Sequence, residues 1–361
     1  MNFASDNASG AAPDVMTAMV AANDGHAPSY GADAAMERVT ARIREIFEAP
    51  RARVHLVATG TAANALGLAC LCPPWATVYC HATAHVNVDE CGAPEFYSGG
   101  AKLTPLAGDH GRIDPGALAE ALAGAEETGV HNVQRGALSL TNATEAGTVY
   151  DPDAVRALAA VAKGYGLPVQ MDGARFANAL VHIGCTPAEV TWRAGVDVLS
   201  LGGTKNGCLG VEAVVLFEPE RSWEFELRRK RGGHLFSKHR FLSAQIEAYL
   251  ADDLWLALAA RANARAAALA RGLAALPGAA LVHPVEANAV FAVLPRAVHR
   301  AAMAAGARYY LWPASQALDG PGEEPLSARF VCNWSTGEAE VAALLAVLAA
   351  ELRPAARVGA S

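Results

Sequence analysis

The sequence predicts an α/β fold with a large domain built on a mostly parallel sheet and a smaller C-terminal α+β domain. Short apolar segments alternate with helical segments up to residue 217, which is typical of a parallel sheet covered by helices on both faces. Two of these segments, VQM (169–171) and VDVLSL (196–201), are too short for helices and are closed by glycine. After a long alanine-rich segment, AVFAVLP (289–295) and ARFVCNW (328–334) predict two more strands.

The elements of the large domain follow from this alternation. Strands are predicted at 54–59, 77–80, 137–141, 169–171, 196–201 and 213–217. Helices are predicted at 32–48, 60–71, from about 85, at 152–165, at 187–194 and from about 219. The first of these helices is rich in Ala, Arg and Glu and stops before Pro50.

Composition along the chain divides it into three segments. Residues 1–28 are polar and broken by Gly and Pro, and we expect them to form an extended N-terminal arm. Residues 29–250 form the expected large domain, and residues 251–361 form the small C-terminal domain. A long helix is predicted at 255–276 and the last helix at 337–352.

Bulk properties exclude several classes of function. The net charge of −7 and the pI of about 5.9 give no reason to expect binding to nucleic acid or to an anionic membrane. The longest apolar run, 341–350, is too short to cross a bilayer, and the N-terminus lacks a signal-peptide pattern. The seven cysteines match neither a zinc site nor a disulfide scaffold, so we expect reduced thiols, a cytoplasmic location and no metal.

Two polar residues stand where predicted buried strands end. Asp172 follows VQM, and Lys205 follows VLSL within GGTKN (202–206). In open α/β sheets, functional groups collect at the carboxyl ends of the strands. A lysine can hold an aldehyde as a Schiff base and an acid can keep a ring nitrogen protonated, so the pair predicts pyridoxal phosphate (PLP) as the cofactor. The alternatives are a surface lysine in a glycine turn and a turn or N-cap aspartate.

Two further motifs could complete a cofactor site. Gly60 and Thr61 open a helix after a strand, where backbone amides and hydroxyls can cradle a phosphate, although small residues there can also serve only tight packing. His85 could stack on the cofactor and act as a general base, or be a core or N-cap histidine. Asp89, at i+4, could orient the ring and contact the substrate, or be a solvated helix residue.

Several cations could bind the anionic parts of cofactor and substrate. Arg175 can point into the same pocket as Asp172 if Gly173 turns the chain, and it can then pair with a carboxylate. Arg329 lies inside an apolar run and needs an anionic partner. The basic segment 228–240 is either a solvated helix face or a source of phosphate contacts, with Lys230 and Lys238 as the candidates.

The motifs FASDN, TGTAAN, TAHV, MDGAR and GGTKN occur in this order and together resemble the low-specificity L-threonine aldolases. These are PLP lyases of fold type I in the β-eliminating lyase group, and the resemblance covers nearly the whole chain. It implies a mostly parallel, seven-stranded sheet in the large, PLP-binding domain and an N-terminal arm that contributes to the active site. The resemblance also implies that Lys205 carries the cofactor, that Asp172 pairs with its ring nitrogen, that His85 stacks on the ring, and that Gly60 and Thr61 bind the phosphate.

The resemblance also implies residues for the substrate and an assembly. Ser5, Arg175 and Arg329 are implied to hold the substrate carboxylate. Tyr30 is implied to lie near the active site, contributed by a neighbouring subunit, and family members are usually dimers of dimers.

The implied reaction is reversible cleavage of β-hydroxy-α-amino acids, such as L-threonine and L-allo-threonine, to glycine and an aldehyde. A phenylserine-preferring aldolase, another fold type I enzyme (a β-eliminating lyase or an aminotransferase) and a non-catalytic phosphate-ligand binder stay open. Many family members carry a histidine after the strand that corresponds to ALSLT, whereas this sequence has TNATEAG (141–147). His85, Thr144 through a water, and Glu145 are therefore the candidates for taking the β-hydroxyl proton.

Overall fold

The computed structural model describes residues 1–125 and 129–352, so residues 353–361 of the predicted C-terminal domain lie outside the described residues. The chain forms two compact units. One is Gly10–Ala259, and the other combines Met1–Ser9 with the chain from Ala260. The predicted division into an arm, a large domain and a small domain stays a prediction.

The larger unit is built on one seven-stranded sheet with the order β1-β7-β6-β5-β4-β2-β3. Its strands are β1 (Arg53–Val57), β2 (Ala76–His81), β3 (Lys102–Leu106), β4 (Gln134–Thr141), β5 (Val169–Gly173), β6 (Val198–Gly202) and β7 (Glu212–Leu216). Only β7 runs antiparallel to its neighbours β1 and β6, and the other described pairs are parallel. This sheet confirms the predicted α/β class.

Helices lie between the strands along the chain. They are α1 (Pro13–Ala21), α2 (Ala34–Ile46), α3 (Gly60–Ala69), α4 (His85–Val88), α5 (Ala93–Ser98), α6 (Pro115–Gly124), α7 (Pro152–Gly164), α8 (Phe176–Ile183), α9 (Pro187–Val190), α10 (Ser222–Arg231), α11 (Arg240–Leu250) and α12 (Leu254–Ala274). Three of them begin at proline after a capping side chain. Asp114, Asp151 and Thr186 each accept a hydrogen bond from a backbone N–H of the first turn.

Strand β3 is the sheet element that the sequence pattern did not predict. It lies at the edge of the sheet, and its sequence KLTPL carries Lys102 and Pro105. Edge strands tolerate charge and proline because one of their sides makes no sheet hydrogen bonds. By contrast, β2 and β5 to β7 are buried along their whole length, which is why their sequences predict strands.

The second unit contains a four-stranded sheet with the order β10-β11-β9-β8, in which all neighbours are antiparallel. The elements of this unit that follow α12 are β8 (Ala280–Leu281), β9 (Ala289–Pro295), α13 (Arg296–Ala304), β10 (Tyr310–Leu311), β11 (Pro325–Val331) and α14 (Glu338–Leu352). The start of the chain is part of this unit. Phe3 is fully buried in its core, donates its N–H to Arg308 O (2.7 Å) and accepts from Val331 N–H (2.8 Å).

In the described ranges 1–125 and 129–352, no helix combines the length and apolar character that a membrane crossing requires.

The end of β6 approaches the chain after β5 too closely for a side chain. A Cβ on Gly202 would overlap the carbonyl oxygen of Ala174 and lie 2.7 Å from its carbonyl carbon. We expect Gly202→Ala to lower the free energy of unfolding by about 1–3 kcal/mol, the usual cost of overpacking, as measured by urea denaturation. In Gly164→Ala the Cβ meets nothing within 4 Å, so this control should equal or exceed wild-type stability. Equal stability of Gly202→Ala and wild type would contradict the contact.

Candidate active site

The two residues that predicted the cofactor lie on and just after two neighbouring parallel strands. Asp172 in β5 is paired with Ser200 in β6. Lys205 follows the end of β6 by three residues, in a short 3-10 turn, Thr204–Asn206. Because β5 and β6 are parallel, their carboxyl ends lie at the same edge of the sheet, and the structure brings Asp172 and the Lys205 turn to that edge.

Buried side chains hold the Lys205 turn on both sides. Glu212 Oε2 accepts the Gly203 N–H at 2.7 Å. Asn206 Nδ2 donates to Tyr249 Oη and to Trp255 O, both at 2.8 Å. These bonds satisfy the polar groups of a turn that has little water around it, and they fix the backbone that carries the lysine.

Glu212 is a fully buried acid next to this turn. Burial raises the pKa of Glu212 to about 7, although hydrogen bonds from Thr204 and Gly203 and the charge of Lys205 act to lower it. The sequence gives one signal for this residue. A glutamate directly precedes the apolar strand run AVVLF, and an acid beside a buried strand needs partners of its own.

Asp172 is buried and accepts a hydrogen bond on each oxygen. Its Oδ1 accepts the N–H of Ala174, and its Oδ2 accepts from Asn64 Nδ2, both at 2.9 Å. Asn64 lies in α3, the helix whose first residues are Gly60 and Thr61. Helix α3 therefore carries both the predicted phosphate-binding residues and a hydrogen-bond donor to Asp172. Gly60 and Asn64 are about 6 Å apart along the helix axis.

His85 begins the short helix α4, and its ring contacts an acid that the sequence did not single out. Nδ1 lies 2.9 Å from Glu90 Oε1. The pKa of His85 is raised, mainly by its hydrogen bond to Glu90 and further by the charge of Glu145, whereas burial and Lys205 lower it. Asp89 is exposed, because α4 ends at Val88 and Asp89 is its C-cap residue.

The loop after β4 contains the two other candidates for the β-hydroxyl proton. Thr144 is buried, and its hydroxyl contacts Thr148 Oγ1 at 2.8 Å and His110 O at 3.3 Å. Glu145 lies next to His85, because its Oε1 accepts the His85 backbone N–H at 3.3 Å. The hydroxyl of Thr144 thus has protein partners, and Glu145 contributes negative charge beside the imidazole.

The basic segment 228–240 has one buried and several exposed cations. Lys230 and Lys238 are exposed, and Lys230 Nζ lies 4.9 Å from the centre of the Tyr30 ring. Tyr30 also donates its backbone N–H to Ser237 O at 3.1 Å, so it belongs to this basic cluster. Arg229 is the buried member and donates to Leu56 O at 3.3 Å.

The three residues expected to bind the substrate carboxylate lie in different units. Arg175 is the N-cap residue of α8 and belongs to the unit of Lys205 and Asp172. Ser5 and Arg329 belong to the other unit. The hydroxyl of Ser5 caps a 3-10 turn by accepting the Asn7 N–H, and the Arg329 guanidinium lies 4.7 Å from the Trp312 ring centre.

Two site residues, Asn64 and Glu90, were missed because their partners are distant in sequence or on another element. Asn64 bridges Glu90 and Asp172 with its amide nitrogen, at 2.9 Å from each acid. Asn64 lies inside the predicted phosphate-binding motif TGTAAN, and Glu90 lies in the segment that follows His85. A signal was available: Asn64 is a polar residue in the second turn of a helix whose other residues after Thr61 are Ala, Leu and Gly.

The raised pKa of Glu212 gives a prediction about stability. An unfolded glutamate titrates near 4.5, so between pH 4.5 and about 7 the folded chain binds the proton more tightly than the unfolded chain. The contribution of protonated Glu212 is complete below pH 4.5 and is lost as the pH rises to about 7. Glu212→Gln, which stays neutral, should remove a pH-dependent loss on the order of 3 kcal/mol in urea denaturation.

The matched control for this prediction is Glu120→Gln, at an exposed position of α6, which should keep the wild-type dependence of stability on pH. If Glu212→Gln kept that dependence as well, Glu212 would not be the titrating group.

Comparisons with known proteins identify the family. The chain matches the family model described as "Beta-eliminating lyase" over residues 2–297. It is 42% identical over 344 residues to the low specificity L-threonine aldolase of Pseudomonas sp. (strain NCIMB 10558), covering 95% of this chain and 96% of that protein. It is 43% identical over 334 residues to the enzyme of the same name from Pseudomonas aeruginosa, covering 92% and 93%.

A solved structure supports the same family assignment. A threonine aldolase of Leishmania major superposes with a TM-score of 0.89 at 26% identity, covering 98% of this chain and 99% of that one. The family model spans most of the chain, and the curated relatives are similar over almost all of it. The chain belongs to the beta-eliminating lyase family.

Proposed function

We propose that this protein is a PLP-dependent aldolase that reversibly cleaves β-hydroxy-α-amino acids, such as L-threonine and L-allo-threonine, to glycine and an aldehyde. One observation carries the proposal. A lysine turn and a buried aspartate lie at the carboxyl ends of adjacent parallel strands, and the aspartate is bonded to the helix that presents Gly60 and Thr61. The names of the Pseudomonas and Leishmania relatives point to the same reaction.

The residues of the site fit PLP. Asp172 is a buried acceptor whose two oxygens are each bonded once, and a carboxylate can accept further hydrogen bonds. Gly60 stands at the start of α3, and a Cβ there would meet nothing within 4 Å, so the helix N-terminus is open to an anion. Lys205 would hold the cofactor aldehyde, Asp172 its ring nitrogen, and Gly60 and Thr61 its phosphate.

Bound PLP supplies an electron sink for the electron pair released when the Cα–Cβ bond of the substrate breaks. The protein groups have complementary duties. Asp172 keeps the ring nitrogen protonated by accepting its hydrogen bond, which favours electron withdrawal. The hydrogen bonds of Glu212 and Asn206 fix the backbone of the turn that carries Lys205, so the side chain of the lysine starts from a defined position at the site.

His85 is the base in this proposal, because its Nδ1 is bonded to Glu90 and its Nε2 can accept the β-hydroxyl proton. Positioned bases of this kind contribute roughly 10²–10⁴-fold to rate. Arg175, Arg329 and Ser5 are proposed to bind the substrate carboxylate, and Asp89 and Tyr30 to contact the substrate as well. Phosphate contacts by Lys230 or Lys238 also stay proposals.

We also propose a cytoplasmic dimer of dimers. All seven cysteines are free thiols, which fits a reducing compartment. Large exposed apolar side chains on α5 and α10, Phe96, Trp223 and Leu227, offer surface for subunit contacts. Light scattering of the purified protein would measure the assembly.

The proposed function predicts the behaviour of Lys205→Ala. Without the amine there is no covalent link to the cofactor, so the variant should lose the visible absorption of the PLP imine. It should also lose essentially all formation of glycine from threonine, because the site no longer holds the cofactor in register. Absorbance spectra and product analysis of the same preparation measure both effects.

The matched control is Lys102→Ala, at an exposed position of the edge strand β3, which should keep both the visible band and the activity. If Lys205→Ala formed glycine at the wild-type rate, Lys205 would not be the residue that holds the cofactor. Ammonia or a keto acid as the main product of the unmodified protein would instead point to a different reaction of the same family.

A further inference from the structure

The amide of Asn64 is oriented by a chain of buried hydrogen bonds across the sheet. Ser139 Oγ donates to Gln170 Oε1 at 2.6 Å, which leaves the Gln170 nitrogen as a donor. Gln170 Nε2 then donates to Asn64 Oδ1 at 3.0 Å. Because the oxygen of Asn64 is the acceptor in that bond, its nitrogen must face the other way.

The Asn64 nitrogen faces two acids. It lies 2.9 Å from Glu90 Oε1 and 2.9 Å from Asp172 Oδ2, so its two hydrogens are donated to two different carboxylates. All three side chains are buried. We call Ser139, Gln170, Asn64, Glu90, Asp172 and His85 the Asn64 network.

The network decides which nitrogen of His85 carries the proton. Glu90 Oε1 already accepts from Asn64 and also lies 2.9 Å from His85 Nδ1, so in this contact the imidazole is the donor. A neutral ring then has its hydrogen on Nδ1 and a bare lone pair on Nε2. The side chain of Glu90 has 0% exposure, whereas that of His85 is 31% exposed, so the ring has one side open to a reactant.

We infer that Glu90 and Asn64 are positioning residues that hold His85 as the Nδ1–H tautomer and hold Asp172 as a hydrogen-bond acceptor at the same time. The catalytic meaning of this inference rests on the proposed function, because it treats His85 as the base and Asp172 as the partner of the ring nitrogen. Glu90, rather than Asp89, is then the acid that sets the basicity of the imidazole.

Three charged groups act on the His85 ring in the described structure. Glu90 bonds to Nδ1, Glu145 lies at the backbone N–H of the same residue, and Lys205 opposes both acids. Glu90 itself has Asp172 as a charged neighbour on the far side of Asn64. Removal of the charge of Glu90 should therefore lower the pKa of His85, since the remaining favourable charge is that of Glu145.

Nitrogen NMR of the purified full-length protein tests the inference without any assay of catalysis. With ¹⁵N-labelled histidine, assigned by loss of its signals in His85→Gln, the neutral His85 ring should be protonated on Nδ1. Glu90→Gln should lower the pKa of the ring by about 1 pH unit or more. A neutral wild-type ring protonated on Nε2 would overturn the inference even if no Glu90 variant folded.

Kinetics give the second readout. In Glu90→Gln, kcat/KM for threonine cleavage should fall by about 10–100-fold, as for other residues that orient a functional histidine. The acid limb of its pH profile should shift to lower pH, because an imidazole with a lower pKa loses its proton at a lower pH. Glu90→Asp keeps the carboxylate, so its acid limb should lie between those of Glu90→Gln and wild type. A loss of activity with the acid limb unmoved would mean a merely structural role and would overturn the inference.

Glu120→Gln is the matched control, with the same chemical change at an exposed position, and it should match wild type in both the NMR titration and the pH profile. The two proposals can fail separately. If wild type formed no glycine and its His85 ring were the Nδ1–H tautomer, the proposed aldolase function would be rejected and the inference about the Asn64 network would stand. Glycine formation together with an Nε2–H ring would do the reverse.

Discussion

The donation of one amide nitrogen to two buried carboxylates is the constraint on which the rest of the site depends. Asn64 can make both bonds because the second turn of α3 lies within reach of β5 and of Glu90. Burial of a carboxylate without a hydrogen-bond donor costs roughly several kcal/mol of folding free energy. Each of the two acids therefore needs a hydrogen-bond donor. The same bonds that stabilise the two acids therefore also place the helix N-terminus, the imidazole and the aspartate relative to one another.

The sheet supports an unusual concentration of buried acid. Asp172, Glu90 and Glu212 are all buried within the larger unit, and burial together with the charge of Asp172 raises the pKa of both glutamates. Hydrogen bonds from Asn64, Gly203 and the His85 ring offset that cost. Such an arrangement is costly for stability, and its location at the carboxyl ends of parallel strands indicates that chemistry rather than packing explains it.

Sequence reasoning succeeded where a polar residue stands near the carboxyl end of a buried strand. Lys205 and Asp172 could be placed because β5 and β6 are buried throughout and their carboxyl ends must share an edge of the sheet. Asn64 and Glu90 could not be paired, because a contact between residues 26 positions apart is decided by how α3 packs. Strand β3 was missed because an edge strand does not need an apolar sequence. The roles of Ser5 and Arg329 still rest on the family resemblance.

The burial of Phe3 among residues of the last strands has a consequence for synthesis of the chain. Its backbone partners are Arg308 and Val331, so this segment cannot make its final hydrogen bonds until about 300 residues that follow it have been synthesised. Contacts of such long sequence separation form slowly, because a long loop must close before they are made. The core of the smaller unit is therefore completed only after β11 is available to bind the Phe3 segment.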